Sequence, residues 1–123
     1  MPVIKAQDAK IFEIPNVTFH GLAAPSRGAN ENAVWRVVVA PGTEGAGHEL
    51  SREEVLIAVS GRALARIGGV DHPVTVGDAI VVPPDTDFAL SNPGEAPFEA
   101  IVVFPVGGQA RVGQDSFVPP WAV

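Results

Sequence analysis

Glycine and proline interrupt this chain so often that no long helix can form in it. Thirteen glycines and twelve prolines are distributed over 123 residues, and the apolar residues fall into short runs between them. Runs rich in Val and Ile and closed by Pro-Gly, Gly-Gly, Gly-Asp or Asn-Pro-Gly are the pattern of β-strands joined by turns. No segment sustains the 3.6-residue apolar period of a surface helix. The expectation is an all-β fold.

Taken in order, short strands are expected at residues 10–14 and 17–20, either side of Pro15, with a loop over 23–32. Residues 34–40 (VWRVVVA) form the first strong strand, dense in β-branched side chains and ended by Pro41-Gly42. Strands over 55–60 and 61–67 follow, and Gly68-Gly69 turns the chain into a return strand over 70–76. Pro73 marks that return strand as an edge or an irregular segment, because proline cannot donate to a ladder. Further strands are expected at 79–82, 87–91 and 98–104, each closed by Pro or Gly. About nine short strands separated by turns suit a sandwich or a closed barrel. The strand at 55–60 is apolar on both faces, with Val55, Ile57 and Val59 alternating with Leu56 and Ala58. Such a strand needs cover on each side. A second subunit or a terminal arm is expected over its outer face.

Composition narrows the partners. The formal charge is −6 and the eight basic residues are scattered, which speaks against binding the phosphates of a nucleic acid. Cysteine is absent, so a disulfide framework, a thiolate nucleophile and a Cys-ligated zinc are excluded. No apolar run reaches membrane-spanning or signal-peptide length, and a cytoplasmic protein is the expectation.

The chemistry concentrates in residues 42–61 (GTEGAGHELSREEVLIAVSG), where His48 stands shortly before Glu54 at the start of an apolar strand. Punctuation and spacing here and at residues 77–92 resemble the two motifs of the cupin superfamily. The first motif is a glycine, five residues, His-x-His, three or four residues, glutamate, six residues and glycine. Gly42, His48, Glu54 and Gly61 fall on it in register, while Leu50 stands at the second histidine position. The second motif is a glycine, five residues, proline-x-glycine, two residues, histidine, three residues and asparagine. Gly77, Pro83 and Asn92 match it, with Asp85 at the glycine position and Phe88 at the histidine position.

At 123 residues the chain is expected to be one domain, and the resemblance implies a six- to eight-stranded antiparallel jelly-roll β-barrel. Its motif-bearing core spans about residues 34–104, with N-terminal strands and a C-terminal tail flanking it. It also implies a homodimer, and a site inside the barrel mouth. Relatives that keep all four ligands bind a divalent metal; here only His48 and Glu54 remain. Two donors fall short of the three that a catalytic metal ordinarily has, so no cofactor is expected, with a weakly bound divalent metal as the alternative. Leu50, Phe88 and, from an N-terminal strand, His20 are expected to line the pocket.

Apolar walls disfavour charge, so a carboxyl among them can keep its proton near neutral pH while a histidine acts as base. The leading expectation is a barrel that binds a small organic molecule, with His48 and Glu54 as its polar groups. Metal-free isomerisation, cyclisation or dehydration is the chemistry such a pair can carry. A non-catalytic binding or regulatory role is one alternative, and a metal-dependent dioxygenase with substitute ligands is another. In the structural alternative, His48 bonds a loop carbonyl and Glu54 pairs with Arg52 or Arg36. His72 is expected at the surface, and Trp121, after Pro119-Pro120, is expected to anchor the tail, onto the partner subunit or this one.

Overall fold

The computed structural model describes residues 2–123 and contains twelve strands, all antiparallel where they pair. They are β1 (Lys10–Ile14), β2 (Val17–Ala23), β3 (Asn32–Val39), β4 (Glu49–Leu50), β5 (Glu54–Ser60) and β6 (Arg62–Ile67). The second half holds β7 (Val70–Thr75), β8 (Ala79–Val82), β9 (Phe88–Ser91), β10 (Phe98–Pro105), β11 (Ala110–Val112) and β12 (Asp115–Phe117). The expected strands are all present, with ends moved by a residue or two. The exception is β2, which runs three residues past its expected end at His20. Helix is limited to three 3₁₀ turns, at Ala6–Asp8, Pro25–Arg27 and Pro120–Ala122.

One six-stranded sheet has the order β1-β2-β3-β10-β5-β8, and two three-stranded sheets have the orders β12-β11-β4 and β7-β6-β9. Strict alternation decides which side chains go inside. In β3 Trp35, Val37 and Val39 are buried; in β10 the inner residues are Phe98, Ala100, Val102 and Phe104. Leu56 and Ala58 of β5 and Ile80 and Val82 of β8 complete that face. The smaller sheets contribute Leu50, Ala63, Ala65, Val74, Phe88 and Ala110 to the same cluster. The sheets therefore close on one apolar interior, the jelly-roll barrel that the resemblance implied. β7, with Pro73, is an edge strand as expected.

Two turn positions show why the punctuation lies where it does. Gly61 joins β5 to β6 at φ 77°, and a side chain there would collide with the Pro97 carbonyl oxygen. Only glycine meets both demands. Asp85, at a position where the resembling motif has glycine, is also left-handed, at φ 57°. Aspartate tolerates that conformation better than most residues, and its carboxylate pairs with Arg111 of β11. The substitution therefore leaves the turn intact.

The C-terminal tail docks on its own chain. Trp121 stacks on Phe19 with ring centroids 3.6 Å apart and planes 5° from parallel, and meets Trp35 edge-on at 6.2 Å. Phe19 and Trp35 lie on the inner face, so the tail closes that side of the sheet. Its backbone carbonyl would sit 3.0 Å from a Cβ at position 21, where Gly21 leaves room.

Candidate functional site

His48 precedes β4 and is fixed by a two-way backbone bridge. Its N–H donates to the Phe88 carbonyl (3.0 Å), and the Phe88 N–H donates back (2.8 Å). That bridge sets the imidazole against the Phe88 ring, with centroids 5.4 Å apart and planes 57° apart. Nδ1 lies 3.1 Å from the Ala46 carbonyl. A carbonyl can only accept, so this contact holds the proton on Nδ1 and leaves Nε2 as a free acceptor.

Glu54 opens β5 opposite Val82 of β8, on the same inward face as Leu56 and Ala58. Its residue is only 6% exposed, and among the described residues its carboxyl has no hydrogen bond and no ion pair. Burial alone pushes its pKa from 4.5 up to about 8, because the charged form loses its water with nothing to replace it. At neutral pH Glu54 is a carboxylic acid. Arg36 pairs with Glu99 and Arg52 is exposed, so the pairing of Glu54 with either arginine is not found. The carbonyl bond of His48, by contrast, is present.

Leu50 and Phe88 are each 2% exposed and belong to the central cluster together with Val82, the strand partner of Glu54. Leu50 is further held by its carbonyl, which accepts the Asp85 N–H at 2.8 Å. Where a ligand set would have two more imidazoles, the chain has packed hydrocarbon. Among the described residues no three His, Asp or Glu side chains converge on a point. The donors therefore do not fit a resident metal.

The expectation that His20 lines the pocket is corrected. His20 lies opposite Arg36 in the β2–β3 register, on the face that points away from Trp35 and Val37. The reason is the period of two in a strand: Phe19 faces the interior, so His20 cannot. Its pKa is lowered by burial and by Arg36, against an opposing effect of Glu99.

His72 is exposed, as expected, and borders a cleft of about 300 Å³ between β7 and β8. The floor of the cleft is Ala65, Val74 and Ile80, which are core residues, but it includes none of His48, Leu50, Glu54 or Phe88. Asn92 is completely buried and fully bonded: Nδ2 donates to Val39 and Ala96 carbonyls, and Oδ1 accepts from Gly94 N–H. Its role is to hold the turn after β9. The Trp121 indole N–H is buried without a hydrogen-bond partner. The lone Trp after two prolines signalled docking but not where the ring would go.

The family profile described as "Cupin domain" matches residues 35–104. Among solved structures, the chain is similar to the polyketide cyclase RemF from Streptomyces resistomycificus. The TM-score is 0.81 at 18% identity, covering 98% of this chain and 88% of that one. An RmlC-like cupin from Shewanella frigidimarina NCIMB 400 gives a TM-score of 0.73 at 22% identity, covering 84% and 88%. KdgF from Halomonas sp. gives a TM-score of 0.73 at 18% identity, covering 85% and 94%. A comparison with curated protein sequences finds no match.

Proposed function

The chain belongs to the cupin domain family, and we propose that its barrel binds a small carbonyl or aromatic compound and moves protons on it without a metal. The observation that carries this reading is the Glu54 carboxyl: buried, unpaired and with its pKa pushed up by burial. Such a group can donate a proton to a carbonyl oxygen where an ordinary glutamate cannot. His48, with Nε2 free, is the matching base.

In an enolisation, Nε2 of His48 removes a proton from the carbon next to a carbonyl, and the C–H electron pair becomes the new C=C bond. The carbonyl π electrons move to oxygen, which takes the Glu54 proton. Return of a proton to a different carbon completes an isomerisation. Attack of the enol on a second carbonyl of the same molecule, followed by loss of water, completes a cyclisation. Neither outcome needs an oxidant. The apolar walls of Leu50 and Phe88 favour this division of labour, since they keep the acid neutral until it reacts. RemF, similar in fold over nearly the whole chain, is described as a polyketide cyclase, and that chemistry is of the same kind.

The test is deuterium uptake from D₂O into a panel of small aryl ketones, followed by NMR. The wild type is expected to accelerate exchange at the carbon next to the carbonyl. His48→Ala and Glu54→Gln are each expected to lose about a hundredfold or more, with folding intact. Full exchange in both variants removes these residues from the chemistry, and activity that appears only with added ferrous iron favours the dioxygenase alternative. Binding without exchange, mapped by amide shifts around His48 and Phe88, favours a non-catalytic binding protein. We further infer that the protein works as a homodimer in the cytoplasm; the exposed Ile57, Val81 and Val103 on the outer face of the six-stranded sheet support the first part.

A further inference from the structure

Two strand edges face each other across an open cleft in the side of the barrel. β7 ends the sheet β7-β6-β9 and β8 ends the six-stranded sheet, so among the described residues each has one neighbouring strand only. The cleft between them encloses about 300 Å³, with His72, Pro73 and Asp78 around a floor of Ala65, Val74 and Ile80. A volume of that size is at the lower end for small-ligand sites, which combine apolar walls with a few polar groups.

Backbone alternation decides what the two edges offer. Thr75 N–H donates to the Asp78 carboxylate at 2.9 Å, and the Thr75 carbonyl accepts the Asp78 N–H at 3.0 Å. Thr75 therefore turns its backbone away from β6, and so do Pro73 and Asp71, two and four residues back along the strand. Proline has no N–H and that of Thr75 is taken, so this part of the β7 wall presents only carbonyl acceptors. On β8 the Asp78 carbonyl accepts Ala58 N–H of β5 at 3.0 Å. That places Ile80 and Val82 in the ladder to β5 and turns the backbone of Ala79 and Val81 outwards. The free donors are thus the N–H groups of the β8 wall. His72 shares a face with Val74 and stands opposite Ala65 in the β6–β7 register, which puts its imidazole at the rim.

We propose that this cleft is a second small-molecule site, separate from His48 and Glu54, for a neutral planar compound with a carbonyl at one end and a hydroxyl at the other. The carbonyl accepts from Val81 N–H, the hydroxyl donates to the Pro73 carbonyl, and the ring lies on Ala65, Val74 and Ile80. The Asp78 carboxylate in the lining and the net charge of −6 oppose an anion. Pro73 opposes an extended peptide, since a strand laid along β7 finds no free donor at residues 73 and 75. The site does not depend on the chemistry of Glu54.

The experiment is a ¹H–¹⁵N NMR titration of the full chain at neutral pH with 4-hydroxybenzamide, which cannot enolise. Saturable shifts are expected at Val74, Ala79 and Val81, larger than any at His48 or Phe88. The expected dissociation constant is about 0.1–1 mM, ordinary for a ligand of about ten heavy atoms. Val81→Pro removes one donor at an edge where no ladder bond is lost, and is expected to weaken binding about fivefold or more. His72→Trp, at an exposed position, fills the cleft and is expected to abolish the shifts. Circular dichroism establishes that each variant is folded, and His72→Trp carries the test alone where Val81→Pro is not. The anion 4-hydroxybenzoate is expected to bind about tenfold more weakly. Absence of saturable shifts at Val74, Ala79 and Val81, or larger shifts at His48 and Phe88, overturns the site. Wild-type affinity in His72→Trp or in folded Val81→Pro overturns the assigned contacts, and equal binding of the benzoate overturns the neutral class.

Discussion

The imidazole of His48 rests against the ring of Phe88, with centroids 5.4 Å apart, and a reciprocal pair of backbone hydrogen bonds joins the same two residues. Phe88, at the histidine position of the motif that the sequence resembles, is the wall against which His48 leans. The contact orients the imidazole and shields one side of it from water. It also removes the geometry in which His48 could share a cation with position 88.

Restoring donors tests that reading. The double variant Leu50→His, Phe88→His is expected to bind Mn²⁺, Ni²⁺ or Zn²⁺ at least about tenfold more tightly than wild type, as a set of four donors replaces two. Isothermal titration with each metal checks it. Equal affinities indicate that positions 50 and 88 do not point at the His48–Glu54 site.

Glu54 makes stability depend on pH in an unusual direction. Its pKa is about 8 in the fold and 4.5 when unperturbed, so between those values the native state holds a proton that the unfolded chain has released. Stability is full below about pH 4.5 and falls as pH rises towards 8, by up to ~1.4 kcal/mol per unit. Glu54→Gln, which cannot ionise, is expected to melt higher than wild type at pH 8 and to lose this part of the slope. Thermal melts of both proteins from pH 5 to 9 measure it; parallel curves contradict it.

Asp85 carries the left-handed turn between β8 and β9 at φ 57°. Asp85→Gly relieves that conformation and loses only a surface ion pair with Arg111, which contributes ~0–1 kcal/mol. It is expected to be neutral or slightly stabilising. Asp85→Val keeps the strain, adds a branched Cβ and is expected to cost about 1–2 kcal/mol. Urea denaturation ranks the two.

Trp121 holds the tail through Phe19 and Trp35. Trp121→Ala is expected to destabilise by about 3 kcal/mol, in the range for large aromatic truncations. Faster amide exchange should follow in β1 and β2, which the tail contacts. Exchange unchanged in those strands indicates that the tail is not part of the cooperative unit.

The barrel was legible because turn chemistry is local. Gly61 and Asn92 mark chain reversals that a strand can make in few ways, and the apolar runs between such marks had to be strands. The short strands β4, β11 and β12 were not legible, since two or three residues carry no period and are defined only by their partners. The site was legible in part. Spacing singled out His48, Leu50, Glu54 and Phe88; the structure sets His48 against Phe88 and buries Leu50, Glu54 and Phe88. His20 was misplaced because a lone histidine in a strand carries no sign of which face is inner. That depends on Trp121, a hundred residues later, docking over Phe19. The ion pair of Arg36 with Glu99, which leaves Glu54 alone, depends likewise on the pairing of β3 with β10.

The proposed proton donation requires Glu54 to be an acid at neutral pH, and its side-chain carboxyl carbon reports this directly. A titration of ¹³C-labelled protein by NMR from pH 4 to 10, with the Glu54 signal assigned by its loss in Glu54→Gln, is expected to show a midpoint near 8. A midpoint below about 5, the range of a solvated glutamate, contradicts the proposed proton donor.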